Sequence, residues 1–212
     1  MSERSYDRLS KWYDIISGSS EKRLQNYGLR MLDAKDGEQI LEIGFGTGHC
    51  VVSIARSIGA SGRIYGIDIS KGMLDITSAR VAKVGLSDRV VLKRDDAAVL
   101  PFDSGYFDAV FMSFTLELFD AAQIPAILQE CKRVLRIGGR ICVVAMMCRK
   151  EKAGIISKLY EWAHSRFPEY VDCRPIAARQ ELQNAGFVIC ESKQMSIWSL
   201  PVEIVLAACD KE

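Results

Sequence analysis

The sequence predicts an α/β fold built on a doubly wound, mostly parallel sheet. Three observations carry this. From Gln39 to Met147, short runs of branched apolar residues alternate with helix-period patterns, as parallel strands joined by crossover helices require. The first of these runs stops in glycines and restarts at once as a helix. Near the end, two strand patterns follow one another with no helix between them, which implies an antiparallel hairpin at the sheet edge.

Each element has its own warrant. Gln39 to Ile43 reads as a buried strand bounded by Gly37 and Gly44, and His49 to Ile58 as a helix with Val51, Val52, Ile54, Ala55 and Ile58 turned inward. Arg63 to Asp68 is a second strand, Lys71 to Val84 a helix ended by Gly85, and Val90 to Lys93 a third strand. Tyr106 to Ser113 reads as a fourth strand and Ala121 to Leu135 as a helix ended by Gly138 and Gly139. The apolar run from Ile141 supplies a fifth. Ala177 to Ala185 is helical with Gly186 as its stop, and Phe187 to Cys190 and Val202 to Ala208 are the closing strands.

A chain of 212 residues suits one compact domain with a substantial core. A net charge of +1 marks no nucleic-acid surface. Seven cysteines, mostly in apolar runs (Cys142, Cys148, Cys190, Cys209) and without a C-x-x-C pair, suggest reduced, buried thiols in a cytoplasm-like compartment. With two histidines, His49 and His164, and no Cys or His cluster, no metal site is expected. The first residues carry no signal-peptide pattern, and the longest apolar run, Ile141 to Cys148, is far short of the roughly 20 residues a bilayer needs. A cytoplasmic protein is the expectation, with peripheral membrane contact left open.

The most informative stretch is Glu42-Ile43-Gly44-Phe45-Gly46-Thr47-Gly48. A strand that ends in glycines and restarts as a helix brings bare backbone N–H groups up to a ligand. A dinucleotide fingerprint, G-x-G-x-x-G/A, would need a small residue at His49; here the third glycine comes one place early. Acid-x-Gly-x-Gly-x-Gly resembles the first motif of the class I S-adenosylmethionine (SAM) methyltransferases. Further landmarks follow in that family's order. Asp68 ends the second strand, where a carboxylate can accept ribose hydroxyls. Asp96-Ala97-Ala98-Val99-Leu100-Pro101-Phe102 resembles the element whose acid accepts from the adenine amino group. Tyr106 to Ser113 resembles the fourth strand, which ends beside the methionine moiety. Glu130 to Arg140 resembles the helix-to-strand landmark, with Ile137 where proline is common. The layout is most similar to the ubiquinone/menaquinone-biosynthesis C-methyltransferases (UbiE-like).

The resemblance implies a Rossmann-like sheet of seven strands with a reversed last strand. It also implies cofactor contacts from Glu42, Gly44, Gly46, Gly48, Asp68, Ile69, Met73, Asp96, Ala97 and Ser113. Plain structural roles stand beside these: Asp68 as a helix cap, Met73 as core, Ser113 as a strand end, Asp108 as a fold-level acid. Residues 1–36 are expected to form a helical cap, in which Tyr6-Asp7 and Tyr13 match an aromatic element that closes over SAM in relatives. Residues 37–212 would form the methyltransferase domain, with 148–175 inserted as a lid. Within that insertion Ile155, Ile156, Leu159, Tyr160, Ala163 and Phe167 share one helical face, fit for core packing or for an apolar substrate.

Methyl transfer needs a base only when the acceptor must lose a proton. Candidates are Glu117, which stands where relatives often carry histidine, His164 and Tyr13. Ser113-Phe114-Thr115-Leu116 lacks the Asn/Asp-Pro-Pro-aromatic signature of nucleic-acid amino-methylating enzymes, so nucleic acid is not the expected partner. The expected activity is transfer of the SAM methyl group to a small apolar or aromatic acceptor such as a quinol precursor. Two alternatives stand: methylation of a lipid-headgroup or small amine, and SAM binding without transfer. A nicotinamide oxidoreductase is opposed by His49 and by the absence of a Tyr-x-x-x-Lys pair.

Overall fold

The computed structural model describes residues 20–147, 175–197 and 200–210. Its strands are β1 (Gln39–Ile43), β2 (Arg63–Asp68), β3 (Val90–Arg94), β4 (Phe107–Ser113), β5 (Leu135–Met146), β6 (Val188–Ile197) and β7 (Leu200–Ala208). Helices are α1 (Ser20–Leu32), α2 (His49–Ser57), α3 (Lys71–Lys83), α4 (Ile124–Val134) and α5 (Ala178–Asn184). The strands form one seven-stranded sheet in the order β3-β2-β1-β4-β5-β7-β6. The first five run parallel, and β7 lies antiparallel to both its neighbours. This is the expected Rossmann-like architecture.

Buried side chains form a layer on each face. Leu24, Leu32, Val51, Ile54 and Val81 of α1–α3 pack on Ile40, Phe111 and Val144. On the other face Ile127, Leu128, Val134 and Leu182 of α4 and α5 pack on Leu41, Val110, Val143 and Val205. Strand order reverses between β1 and β4, so the chain leaves these strands in opposite directions. A crevice at their C-terminal ends is the usual ligand position in such sheets.

Helix α1 is the described part of the expected N-terminal cap. It lies close on β5 because Gly28 has no side chain: a Cβ there would stand 2.5 Å from Val144 Cγ2. Arg140 fixes the helix C-terminus, donating to the carbonyls of Leu32 (2.6 Å) and Asp33 (3.1 Å) and to both Glu38 oxygens (2.8 Å each). Of the expected lid, 148–175, only Pro175 is among the described residues; Tyr13 and His164 lie outside them. The flanks of the insertion meet: Met147 bridges to Ile176, whose N–H donates to Met146 O at 2.9 Å.

Three expectations are corrected. Helix α4 starts at Ile124 and ends at Val134, and Leu135 already pairs with Phe107. Gly138 and Gly139 therefore do not stop the helix. They sit in a bulge of β5 where the register shifts between Phe107 and Ala109, with Gly138 at φ 72°. The last two strands are longer than expected, because the polar stretch Glu191 to Gln194 hid the continuation of an exposed edge strand. Cys50, Cys131, Cys142 and Cys209 are buried thiols in no disulfide, as expected, but Cys190 is exposed. Among the described residues no helix is long and apolar enough to cross a membrane.

Candidate functional site

The loop between β1 and α2 takes left-handed backbone at each glycine of the motif: φ is 73° at Gly44, 48° at Gly46 and 79° at Gly48. Side chains would strain these conformations, and at two positions they would also collide. A Cβ on Gly44 would lie 2.3 Å from Thr115 Oγ1, and one on Gly48 2.5 Å from Thr77 Cγ2. At Gly46 nothing lies within 4 Å, so its face is open to a ligand. His49 opens α2, with Nε2 3.1 Å from Asn26 Oδ1, so a large side chain fills the place a dinucleotide turn keeps small.

Asp68 at the end of β2 ties this loop down. Its Oδ2 accepts from Gly46 N–H and its Oδ1 from Ser70 N–H, both at 2.9 Å. Burial pushes the Asp68 carboxyl above the usual range, opposed by these backbone bonds. Each oxygen keeps a second lone pair for a ligand. The cap of α3 is Ser70, whose Oγ accepts from Met73 N–H at 3.3 Å. Thr77 Oγ1 donates to Gly46 O at 2.7 Å, and Thr115 Oγ1 to Ser113 O (3.0 Å) and Gly44 O (3.4 Å). Sequence reasoning missed both threonines. Thr77 was findable: with Met73 and Val81 it makes a buried stripe at spacing four, and it is the polar member.

Among the described residues five buried side-chain atoms find no partner, and three of them cluster here: Glu42 Oε2, Ser113 Oγ and Glu117 Oε2. Glu42, near the end of β1, is 2% exposed. Burial first, and then the negative charge of Asp68, push its carboxyl well up. Glu117 follows β4 on the short turn Leu116–Leu118 and is 1% exposed. Its Oε1 accepts from Met146 N–H at 3.0 Å. Burial raises the Glu117 carboxyl to about 7 against that bond, with a further upward push from Glu21 of α1. Phe114, between Ser113 and Thr115, has φ 53°, a strained value for a non-glycine residue.

The other expected contacts divide by exposure. Ile69 is 65% exposed directly beyond Asp68. Asp96, in the loop after β3, is exposed and holds its turn through Ala98 N–H at 2.9 Å. Met73 and Ala97 instead pack into the cores. Asp108 has the fold-level role: it accepts from Gln39 N–H at 2.6 Å and pairs with Arg136 at 2.6 Å.

A methyltransferase-domain family model matches residues 40–139, the span from β1 to the β5 bulge. The demethylmenaquinone methyltransferase of Symbiobacterium thermophilum is 32% identical over 145 residues, 66% of this chain and 57% of that protein. The ubiquinone/menaquinone biosynthesis C-methyltransferase UbiE of Pseudomonas fluorescens is 28% identical over 148 residues, 70% of this chain and 56% of that protein. Over residues 40–139 the chain is similar to a methyltransferase domain, and its relatives are quinone-biosynthesis methyltransferases by name. It is UbiE-like, and its match spans little more than half the length of these relatives. A solved SAM-dependent methyltransferase from Aquifex aeolicus shares the fold at TM-score 0.68 and 20% identity, over 96% of this chain and 98% of that one.

The residues present fit the family's cofactor, SAM. It carries an ammonium and two ribose hydroxyls, donors of the kind that the unpartnered oxygens of Glu42 and Ser113 and the spare lone pairs of Asp68 can accept. The open face of Gly46 gives backbone access. Ile69, exposed directly beyond Asp68, offers apolar surface for a flat aromatic base. When bound, this group supplies a methyl carbon already activated by a sulfonium.

Proposed function

We propose that the chain transfers the methyl group of SAM to a small apolar or aromatic acceptor of the quinol-precursor class. The observation that carries this reading is the grouping at the C-terminal ends of the central strands: a glycine turn with an open backbone face, tied to a strand-end carboxylate, beside three buried oxygens without partners. The relatives' names, demethylmenaquinone methyltransferase and UbiE, support the acceptor class.

In this reading Gly44, Gly46 and Gly48 give the cofactor access to the backbone, and Asp68 receives the ribose. Glu42 and Ser113 face the amino-acid moiety. Ile69, Asp96 and Ala97 frame the adenine, with Met73 supporting that wall from the core. Tyr13, on the 1–36 cap, closes over the cofactor, and the 148–175 lid covers the acceptor. The protein's task is to hold donor and nucleophile in line and keep water out, since the donor brings its own activation. Glu117, His164 and Tyr13 are the residues able to handle an acceptor proton. A cytoplasmic location, peripheral contact of the insertion with a membrane, and a small-molecule rather than nucleic-acid partner complete the proposal.

Calorimetry with SAM, S-adenosylhomocysteine and NADH tests the cofactor assignment: the first two bind and the third does not. Methyl-labelled SAM incubated with lipid and polar metabolite extracts then tests transfer. Label in the lipid fraction is the expected result; binding without label anywhere would reduce the chain to a SAM-binding protein.

A further inference from the structure

Glu117 combines features that a purely structural carboxylate does not need. Its Oε1 is held by Met146 N–H at 3.0 Å, while Oε2 is buried and has no partner. The neighbour whose charge bears on it is another acid, Glu21. The turn that carries it is stitched to the cofactor loop through Thr115, which bonds Gly44 O and Ser113 O. It is also preceded by the strained Phe114. Met146 stands where the 148–175 insertion leaves and returns: its N–H holds Glu117 and its carbonyl accepts from Ile176. Glu117 is therefore anchored at the meeting point of the cofactor loop and the root of the insertion, with one oxygen fixed and the other free.

We propose that Glu117 Oε2 takes the proton of a phenol-type hydroxyl on the acceptor as the methyl group is transferred, which makes the acceptor a hydroxylated aromatic compound. This deepens the proposed function and rests on it. The acceptor O–H bond breaks and an H–Oε2 bond forms. The freed electron pair, delocalised from oxygen onto the ring, makes the new bond to the methyl carbon, and the old carbon–sulfur pair stays on sulfur as a neutral thioether. With a ring carbon as nucleophile, Glu117 returns its proton to the ring oxygen while the ring C–H proton leaves to water. The same carboxyl suits an amine poorly. A buried carboxylate beside an ammonium forms an ion pair that stabilises the protonated, non-nucleophilic amine. A neutral hydroxyl leaves one charge shared across the hydrogen bond. A proton affinity close to neutrality matches the base to this task.

The test uses the full chain, methyl-labelled SAM, and two probes: chemically reduced 1,4-naphthohydroquinone and ethanolamine. Label is expected on the naphthohydroquinone only, with kcat rising through an apparent pKa near 7. Glu117→Gln keeps an oxygen for Met146 N–H. It should bind SAM within about threefold of the parent chain while kcat falls roughly 100-fold or more and the pH dependence disappears. Glu117→Asp, which draws the carboxyl back by one methylene, should keep the pH dependence at lower kcat, and it carries the test if the Gln variant does not fold. Three results overturn the proposal while SAM still binds: a Gln variant with parental kcat and pH profile, label on ethanolamine alone, or no label on the hydroxylated probe. Failure of the parent chain to bind SAM at all would instead remove the reading on which it rests.

Discussion

At the residue scale, the site depends on what is left unsatisfied as much as on what is bonded. Asp68 shows the first kind of role: both oxygens already hold backbone N–H groups, one of them in the glycine turn. Asp68→Ala therefore removes a ribose acceptor and releases Gly46, and SAM affinity measured by calorimetry should fall by about tenfold or more. Asp68→Asn keeps one acceptor oxygen and should fall between the two; equal affinity for all three chains would refute the assigned role. Gly44 is a more local case. At φ 73°, and with Thr115 Oγ1 2.3 Å from where a Cβ would be, Gly44→Ala must displace the turn that carries Glu117. Both a lower melting temperature and weaker SAM binding are expected, whereas Gly46→Ala meets no protein atom, carries only the backbone strain of φ 48°, and should cost less stability than Gly44→Ala. The glycines and the strand-end acids were legible from spacing. Thr77 was legible only as the polar member of a buried stripe, and the bond that Thr115 makes to the glycine loop was not legible, because a hydroxyl that bonds a neighbouring loop leaves no periodic trace.

At the element scale, helices and strands followed their patterns wherever one face was buried. Helix α2 has all five expected inward residues buried, and β2 starts and ends at the expected residues. Misreadings arose where tertiary pairing overrode local signals. The glycines after α4 resemble a helix stop, yet Leu135 is already captured by Phe107, and the glycines absorb a bulge. Long-range anchoring of α1 was equally hidden, since the arginine that caps it lies 108 positions further along the chain. Arg140 satisfies the carbonyls of Leu32 and Asp33 and pairs with Glu38. Burial would raise the Glu38 carboxyl, but the Arg140 hydrogen bonds and charge bring it below the ordinary value. Arg140→Ala removes the side-chain donor of both carbonyls and leaves Glu38 with only the Lys35 N–H, and urea denaturation should show a loss of about 2–3 kcal/mol. Because Glu21, on the first turn of the same helix, bears on Glu117, a loosened α1 should also change kcat. An active-site effect without any stability loss would contradict the anchoring role.

At the scale of the whole molecule, the sheet order brings Glu42, Asp68 and Glu117 to the C-terminal ends of neighbouring central strands, and burying these acids costs stability. Alternation of strand and helix patterns made this topology readable. What could not be read was how deeply Glu117 is buried, because the groups that bear on it, Met146 of β5 and Glu21 of α1, lie far from it in sequence. The consequence is a pH dependence with a definite sign. Glu117 has an ordinary value of 4.5 and is raised to about 7 in the folded chain. Below 4.5 both folded and unfolded chains hold the proton. Between the two values the unfolded chain releases it and the folded chain does not, so stability falls as pH rises across that window and levels off above it. The loss from this group is on the order of 3 kcal/mol. Glu42, raised in the same direction, adds to the decline. Acids lowered by partners, such as Glu130 beside Arg133, lose their contribution only below their own ordinary range, outside this window. Glu117→Gln keeps the Met146 bond and cannot ionise. Urea denaturation of parent and variant at pH 5, 6, 7 and 8 should therefore show the variant gaining steadily on the parent up to about pH 7, then running parallel to it. A difference that does not vary with pH would mean that Glu117 ionises as it does in the unfolded chain. The site would then lack the dry, near-neutral base on which transfer from a hydroxylated acceptor depends.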